Sequence, residues 1–368
     1  MPSQPGIPYA KAAAKRHTEL IRALLREMPA IVGDFIFSLE DQSAALTRLA
    51  YLYDLRVFFD YLIHETPAFA GKTRVAISLA DIRAITLSNL ERYPNYLTLY
   101  YKQPDFNSRN PHDTPLAPER AIENAEHGKM RKLCALRSFY NYLFKNKYIE
   151  GNLAELVSLP RLHDKAILRL EPDEVARMLD LAESGEAFGE RQKKYTERTR
   201  GRDVALLSLL LGTGIRVSEC VGLNLYDMNF EENAFLVTRK GGKEMILYFS
   251  DEVAGALLRY IKERKGIKAL EGHEDALFLS LQRRRITQRA VENLVKKYAA
   301  AAAPLKRKIS PHKLRSTYGT ELYRSTGDIY LVADVLGHAD VNTTRKHYAA
   351  MSEENRRKAA KAVKLRED

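Results

Sequence analysis

Cysteine is scarce in this sequence. Its 368 residues include two, Cys134 and Cys220, each inside an apolar helical pattern. That excludes a disulfide or cysteine-based metal framework, and the pair reads as buried free thiols of a cytosolic protein. Long apolar runs are missing too: no stretch approaches the ~20 residues that cross a bilayer, so no membrane partner is expected. The N-terminal MPSQPGIPYAKAAAKRH lacks the continuous apolar core of a secretory signal, and a cytoplasmic location follows. No internal repeat or long low-complexity tract is visible.

Negative charge is what residues 281–320 lack. They hold a single acid, Glu292, against eleven cations: Arg283, Arg284, Arg285, Arg289, Lys296, Lys297, Lys306, Arg307, Lys308, Lys313 and Arg315. Such a run repels itself unless a polyanion or solvent ions compensate it. The whole chain carries a net charge of +12 with an isoelectric point near 9.4. Nucleic acid is the usual partner of such a surface. With 45% hydrophobic and 29% charged residues, the chain has the composition of a globular protein rather than a disordered one. Its length suits about two domains, each able to bury a core.

What is present is mostly helical patterning. Leu52, Leu55, Phe59 and Leu62 recur at steps of three and four until Pro67, and Leu133, Leu136, Tyr140 and Leu143 repeat the stripe until Asn146 and Gly151. Between them, residues 101–118 hold Pro104, Pro111, Pro115 and Pro118 and read as a surface loop. Glu171-Pro172-Asp173 has the acids and early proline of a helix start. The interdomain linker is therefore expected at 161–170, between a helical domain at 1–160 and a second domain at 171–368. In the second domain an apolar helix over Ala205–Leu211 ends at Gly212-Thr213-Gly214. FLVTRKGGKEMILYF (235–249) reads as a β-hairpin around Gly241-Gly242. Helices resume at Val253–Lys262 and after Thr287, an expected N-cap.

Four features of this second half combine chemically: Arg216 in Gly-Ile-Arg-Val-Ser-Glu219; Lys240 on the hairpin; Pro311-His312-Lys313-Leu314-Arg315, with His and Arg on one helix face; and Leu336-Gly337-His338 followed ten residues later by Tyr348. Singly, each has a structural explanation, such as an Arg216–Glu219 surface pair or a solvated turn lysine. Together they supply two guanidinium groups, two imidazoles, an ammonium and a phenol. Arginines can hold non-bridging phosphate oxygens and offset transition-state charge. A phenol can attack as a covalent nucleophile, and a lysine can protonate the leaving oxygen. No carboxylate cluster accompanies the histidines, so neither a metal nor another cofactor is expected.

LLLGTGIRVSECVGLNLYDM, HKLRSTYGTEL and VLGHADVNTTRKHYA resemble the three signature boxes of the tyrosine recombinase (phage integrase) family, most of all the Xer recombinases of single-recombinase type. The resemblance covers roughly 170–350, and LRSFYNYLFKNKYIEGN resembles the end of that family's core-binding domain. It implies a mainly α fold with a small β-sheet: a helical core-binding domain and an α+β catalytic domain forming a C-shaped clamp on double-stranded DNA. Position by position it makes Arg216 and Arg315 the catalytic arginines, His312 a proton-transfer and phosphate-binding group, and His338 a phosphate or tyrosine-positioning group. Lys240 matches the general acid, with Lys243 as its competitor, Glu219 a supporting acid and Tyr348 the nucleophile. Arg239, Lys243, Arg284, Arg289 and Lys313 are expected phosphate contacts. His347 is expected to be an exposed neighbour of the nucleophile, and Tyr318 to pack in the core.

The same resemblance implies a homotetramer on two DNA duplexes, exchanging strands through a Holliday junction without ATP. Chromosome-dimer resolution and integration of a mobile element need the same chemistry; residues 1–40 look too short for an extra arm-binding domain, which favours the former. The C-terminal AAMSEENRRKAAKAVKLRED reads as a helix that docks on a neighbouring protomer or as a solvated tail. Two alternatives stand beside this reading: strand resealing of the type IB topoisomerase or telomere resolvase kind, and a catalytically silent DNA-binding accessory protein.

Overall fold

The computed structural model describes residues 9–102, 120–162, 168–186, 188, 190–239, 242–306, 308–337 and 341. Two compact units divide the chain, one formed by Ile7–Asp164 and the other continuing from Lys165. Lys240, His338, His347, Tyr348 and the C-terminal segment lie outside the described residues, as does most of the proline-rich 101–118.

The first unit is helical. It contains α1 (Tyr9–Leu25), α2 (Ala30–Ser38), α3 (Ala45–Glu65), α4 (Leu79–Arg83), α5 (Leu87–Tyr96), a two-stranded antiparallel ribbon of β1 (Leu99–Lys102) and β2 (Arg120–Glu123), α6 (Glu126–Lys145) and α7 (Leu153–Leu156). The two apolar stripes read from the sequence are its centre. Leu52, Leu55, Phe59 and Leu62 of α3 and Leu133, Leu136, Tyr140 and Leu143 of α6 are buried in one core with Phe35, Phe58, Tyr93 and Phe139. Phe139 meets both Phe35 and Phe59 edge to face, a preferred aromatic geometry. Cys134 departs from the expectation. Lying about 100° round the helix from Leu133, it faces away from the α3 contact and is exposed. The ribbon also departs from it: Leu99 pairs with Glu123 and Lys102 with Arg120, so strand borders what reads from the sequence only as a loop.

The second unit is built around α9 (Glu190–Thr213). It packs against α8 (Pro172–Ser184), α11 (Asp251–Lys265) and α13 (Pro311–Thr326). Ala205, Leu206, Leu207, Leu209 and Leu210 are all buried, so this end of α9 is apolar on every side, as a central helix must be. Its polar turn is satisfied internally. Asp203 accepts from Thr199 Oγ1 at 2.9 Å, from Arg202 and from Tyr298 Oη at 3.1 Å. Around it stand α10 (Val217–Gly222), α12 (Gln288–Ala302) and α14 (Ile329–Leu336), and a three-stranded antiparallel sheet of β3 (Met228–Asn229), β4 (Ala234–Thr238) and β5 (Glu244–Tyr248). The hairpin pairs Leu236 with Ile246 and Thr238 with Glu244. The expected Thr287 cap is found, its Oγ1 accepting from Ala290 N at the start of α12, and the helix expected at Glu171-Pro172-Asp173 starts with a capping box of Glu171 and Glu174. Among the described residues no helix is long and apolar enough to cross a membrane.

Candidate functional site

Arg216 stands at the N-cap of α10 with extended backbone. Glu219, one turn on, accepts from the Arg216 backbone N–H at 3.1 Å and from its Nη1 at 2.8 Å. The Glu219 side chain is only 5% exposed, so the pair read as a surface contact is in fact a half-buried brace. The other edge of the guanidinium turns toward the end of α14. Nη2 donates to Gly337 O at 2.9 Å and to Leu336 O at 3.3 Å. Cations suit a helix C-terminus, where unpaired carbonyls concentrate partial negative charge.

Arg315 meets the same region from α13. It is buried, and its Nη1 donates to the carbonyl of Gly214. Gly214 has φ +61°, and a Cβ there would stand 2.5 Å from Tyr318 Cδ1 and 3.0 Å from Leu336 Cδ2. Only glycine serves a left-handed turn so tightly enclosed. Tyr318 is half-buried against Val332 and Leu336, and burial raises its pKa, which disfavours phenolate there. The described parts of the three sequence boxes therefore meet at one small locus, made of the Gly214–Arg216 turn, the Arg315 face of α13 and the α14 terminus at 335–337.

His312 lies one residue into α13, after Pro311, and is exposed. With Val217, Arg289, Glu292 and Lys296 it lines an open cleft between α10, α12 and α13. Arg289 points into water and pairs only loosely with Glu292, at 3.3 Å. Lys243 and Arg284 are exposed and Lys313 is half-exposed. Among the described residues no group of three or more His, Cys, Asp or Glu side chains is gathered as metal ligands.

The basic run 281–320 is not one surface. Arg285 turns inward and caps Val221 O and Leu223 O at 3.0 and 2.7 Å. Lys297 sits over the Phe188 and Tyr298 rings at 4.1 and 4.6 Å, and Lys306 pairs with Glu174. Arg283, Arg284, Arg289, Lys296 and Lys308 remain exposed. Arg239, expected as a phosphate contact, is buried among the described residues, and its Nη2 donates to Val335 O at 2.7 Å. The α14 carbonyls at the centre of this arrangement escaped sequence reasoning; the signal that pointed to them is Gly337, a left-handed helix terminator with φ +57°.

The chain is similar to the crystal structure of the XerH site-specific recombinase bound to its palindromic difH substrate (TM-score 0.57, 19% identity, 87% of this chain and 80% of that one). It is similar too to the Tn1549 transposon integrase in complex with circular intermediate DNA (TM-score 0.58, 18% identity, 87% and 95%). These two likenesses concern the fold. The sequence profile of the phage integrase family matches residues 168–355. Tyrosine recombinase XerC of Caldanaerobacter subterraneus subsp. tengcongensis is 32% identical over 86% of this chain and 82% of its own. Tyrosine recombinase XerS of Lactococcus lactis subsp. cremoris is 29% identical over 84% and 88%. The chain belongs to the phage integrase family of tyrosine recombinases.

Proposed function

We propose that the protein is a cytoplasmic site-specific recombinase that cuts and rejoins double-stranded DNA through a phosphotyrosine at Tyr348, with Arg216, Lys240, His312, Arg315 and His338 as its catalytic set. The Tyr348 oxygen attacks the scissile phosphorus while the bond from phosphorus to the 5′ oxygen breaks. The phenol proton passes to His312, and Lys240 gives a proton to the departing 5′ oxygen. Arg216 and Arg315 neutralise the non-bridging oxygens as charge builds, and His338 supports the same phosphate. The product is a 3′-phosphotyrosyl ester, which conserves the bond energy without ATP. The 5′ hydroxyl of a partner duplex then attacks it and restores the tyrosine, and a second exchange resolves the Holliday junction. A core-binding domain at 1–160 and a catalytic domain at 171–368 would close around each site as a clamp, four protomers on two duplexes. Chromosome-dimer resolution and movement of a mobile element are both served by this chemistry.

The observation that carries this reading is the convergence of Arg216 and Arg315 on the Gly214 turn and the α14 terminus, in a chain whose exposed cations Arg284, Arg289, Lys243 and Lys296 offer phosphate contacts. The test is a nicked duplex carrying a site selected from a random-sequence pool. Wild type should form a covalent adduct, and Tyr348→Phe should bind equally well and form none. Tight binding by wild type with no adduct would decide for a silent accessory protein.

A further inference from the structure

Arg239 spends its main chain closing the hairpin. Its N–H donates to Lys243 O at 2.8 Å and its carbonyl accepts from Gly242 N at 3.0 Å. Its side chain leaves the hairpin altogether and grips Val335 O, while Arg216 occupies Leu336 O and Gly337 O. Three consecutive carbonyls thus carry two guanidinium groups. The approach is so close that a Cβ on Gly337 would fall 1.4 Å from Arg239 Nη1. Among the described residues, Nε and Nη1 of Arg239 are buried without a hydrogen-bond partner. Burial lowers its pKa; Glu219 opposes that fall and Arg216 adds to it.

A buried charge with two unused donors is a poor device for stability, because burial is costly unless the charge is fully paired. Apolar side chains would fill the same space at lower cost. The arrangement makes sense if the guanidinium is kept for where it stands. The turn that Arg216 leans on has no other hold from the hairpin side among the described hydrogen bonds, and Arg239 supplies it.

We propose that Arg239 is a positioning residue for strand cleavage: by gripping the end of α14 from the hairpin, it holds Arg216 against the non-bridging oxygens of the scissile phosphate. The inference rests on the recombinase reading. No bond to Arg239 forms or breaks; it acts through Arg216.

The test uses the full chain and three versions of the nicked site: the ordinary phosphodiester, a methylphosphonate that replaces one charged oxygen by a neutral methyl, and a bridging sulfur that leaves without needing a proton. Arg239→Ala should slow adduct formation on the phosphodiester by at least about 10-fold, against the ~100- to 1,000-fold of losing a direct donor, yet come within about 3-fold of wild type on the methylphosphonate. Arg216→Ala should show the larger loss with the same narrowing. Equal rates for Arg239→Ala and wild type on the phosphodiester would overturn the proposal. So would an undiminished loss on the methylphosphonate, or a rescue by sulfur, which would assign Arg239 to leaving-group protonation. A comparable loss of affinity for intact duplex would overturn it in favour of a plain phosphate contact. If Arg239→Ala does not fold, Gly337→Ala replaces it, since the new Cβ displaces the guanidinium. The same narrowing supports the proposal, and a uniform loss on both substrates refutes it. A wild type that forms no adduct on the phosphodiester sinks the recombinase reading itself and this inference with it.

Discussion

At the scale of single residues, the site depends on glycines as much as on charged groups. Gly214 offers its carbonyl to Arg315 and its empty face to Tyr318 and Leu336. Gly214→Ala therefore meets a left-handed φ and an occupied space together. The expected destabilisation is on the order of 2–4 kcal/mol, readable as a fall in the urea midpoint. Arg216, Arg315 and His312 were legible from the sequence as residue types at given spacings. What those spacings did not carry was direction. Arg239 and Arg285 read as surface cations because a sequence gives charge but not which side of a hairpin or loop is packed. The acceptors that turn them inward, Val335 O, Val221 O and Leu223 O, are backbone groups of remote segments, and side-chain patterns leave no trace of them.

At the scale of elements, periodicity served well wherever one face of a helix is buried. It found α3, α6, α11 and α12, and the Thr287 cap. Thr287→Ala should cost about 1 kcal/mol, measured by chemical unfolding, because Ala290 N loses its acceptor. The β1–β2 ribbon was missed because its strands are four residues each and flank a proline-rich stretch. The α3–α6 contact contains a less visible feature. Asp54 is 2% exposed, and burial pushes its carboxyl up to about 6 although Arg131 and Lys132 pull the other way. Unfolded, it releases its proton near 3.8. Between those values the folded state binds the extra proton, so this group's stabilisation is full below about pH 4 and is lost as pH rises through about 6. The loss should be on the order of 2–3 kcal/mol, and Asp54→Asn should remove it. Urea unfolding across that range, followed by circular dichroism, checks both; an unchanged slope in the variant would exonerate Asp54.

At the scale of the whole molecule, the net charge of +12 made a polyanionic partner the first expectation, and the exposed cations around the His312 cleft are consistent with it. DNA affinity should fall by roughly 10³-fold or more between 50 and 200 mM salt, if about six or more phosphates are engaged. Fluorescence anisotropy across a salt series gives the slope, and a flat response would contradict a phosphate-dominated interface. Overall charge could not say how the basic run divides between surface and interior, because that division is settled by packing partners such as Phe188 and Glu174.

The exposure of Cys134 has a practical corollary. The chain's other thiol, Cys220, is fully enclosed, and burial drives its pKa up, away from the reactive thiolate. The native protein therefore offers a single address for a maleimide dye, on the outward side of α6. A disulfide-exchange titration should count one reactive thiol in buffer and two in denaturant. A fluorophore there would label the helical unit alone and allow the arrival of DNA to be timed with no cysteine added or removed.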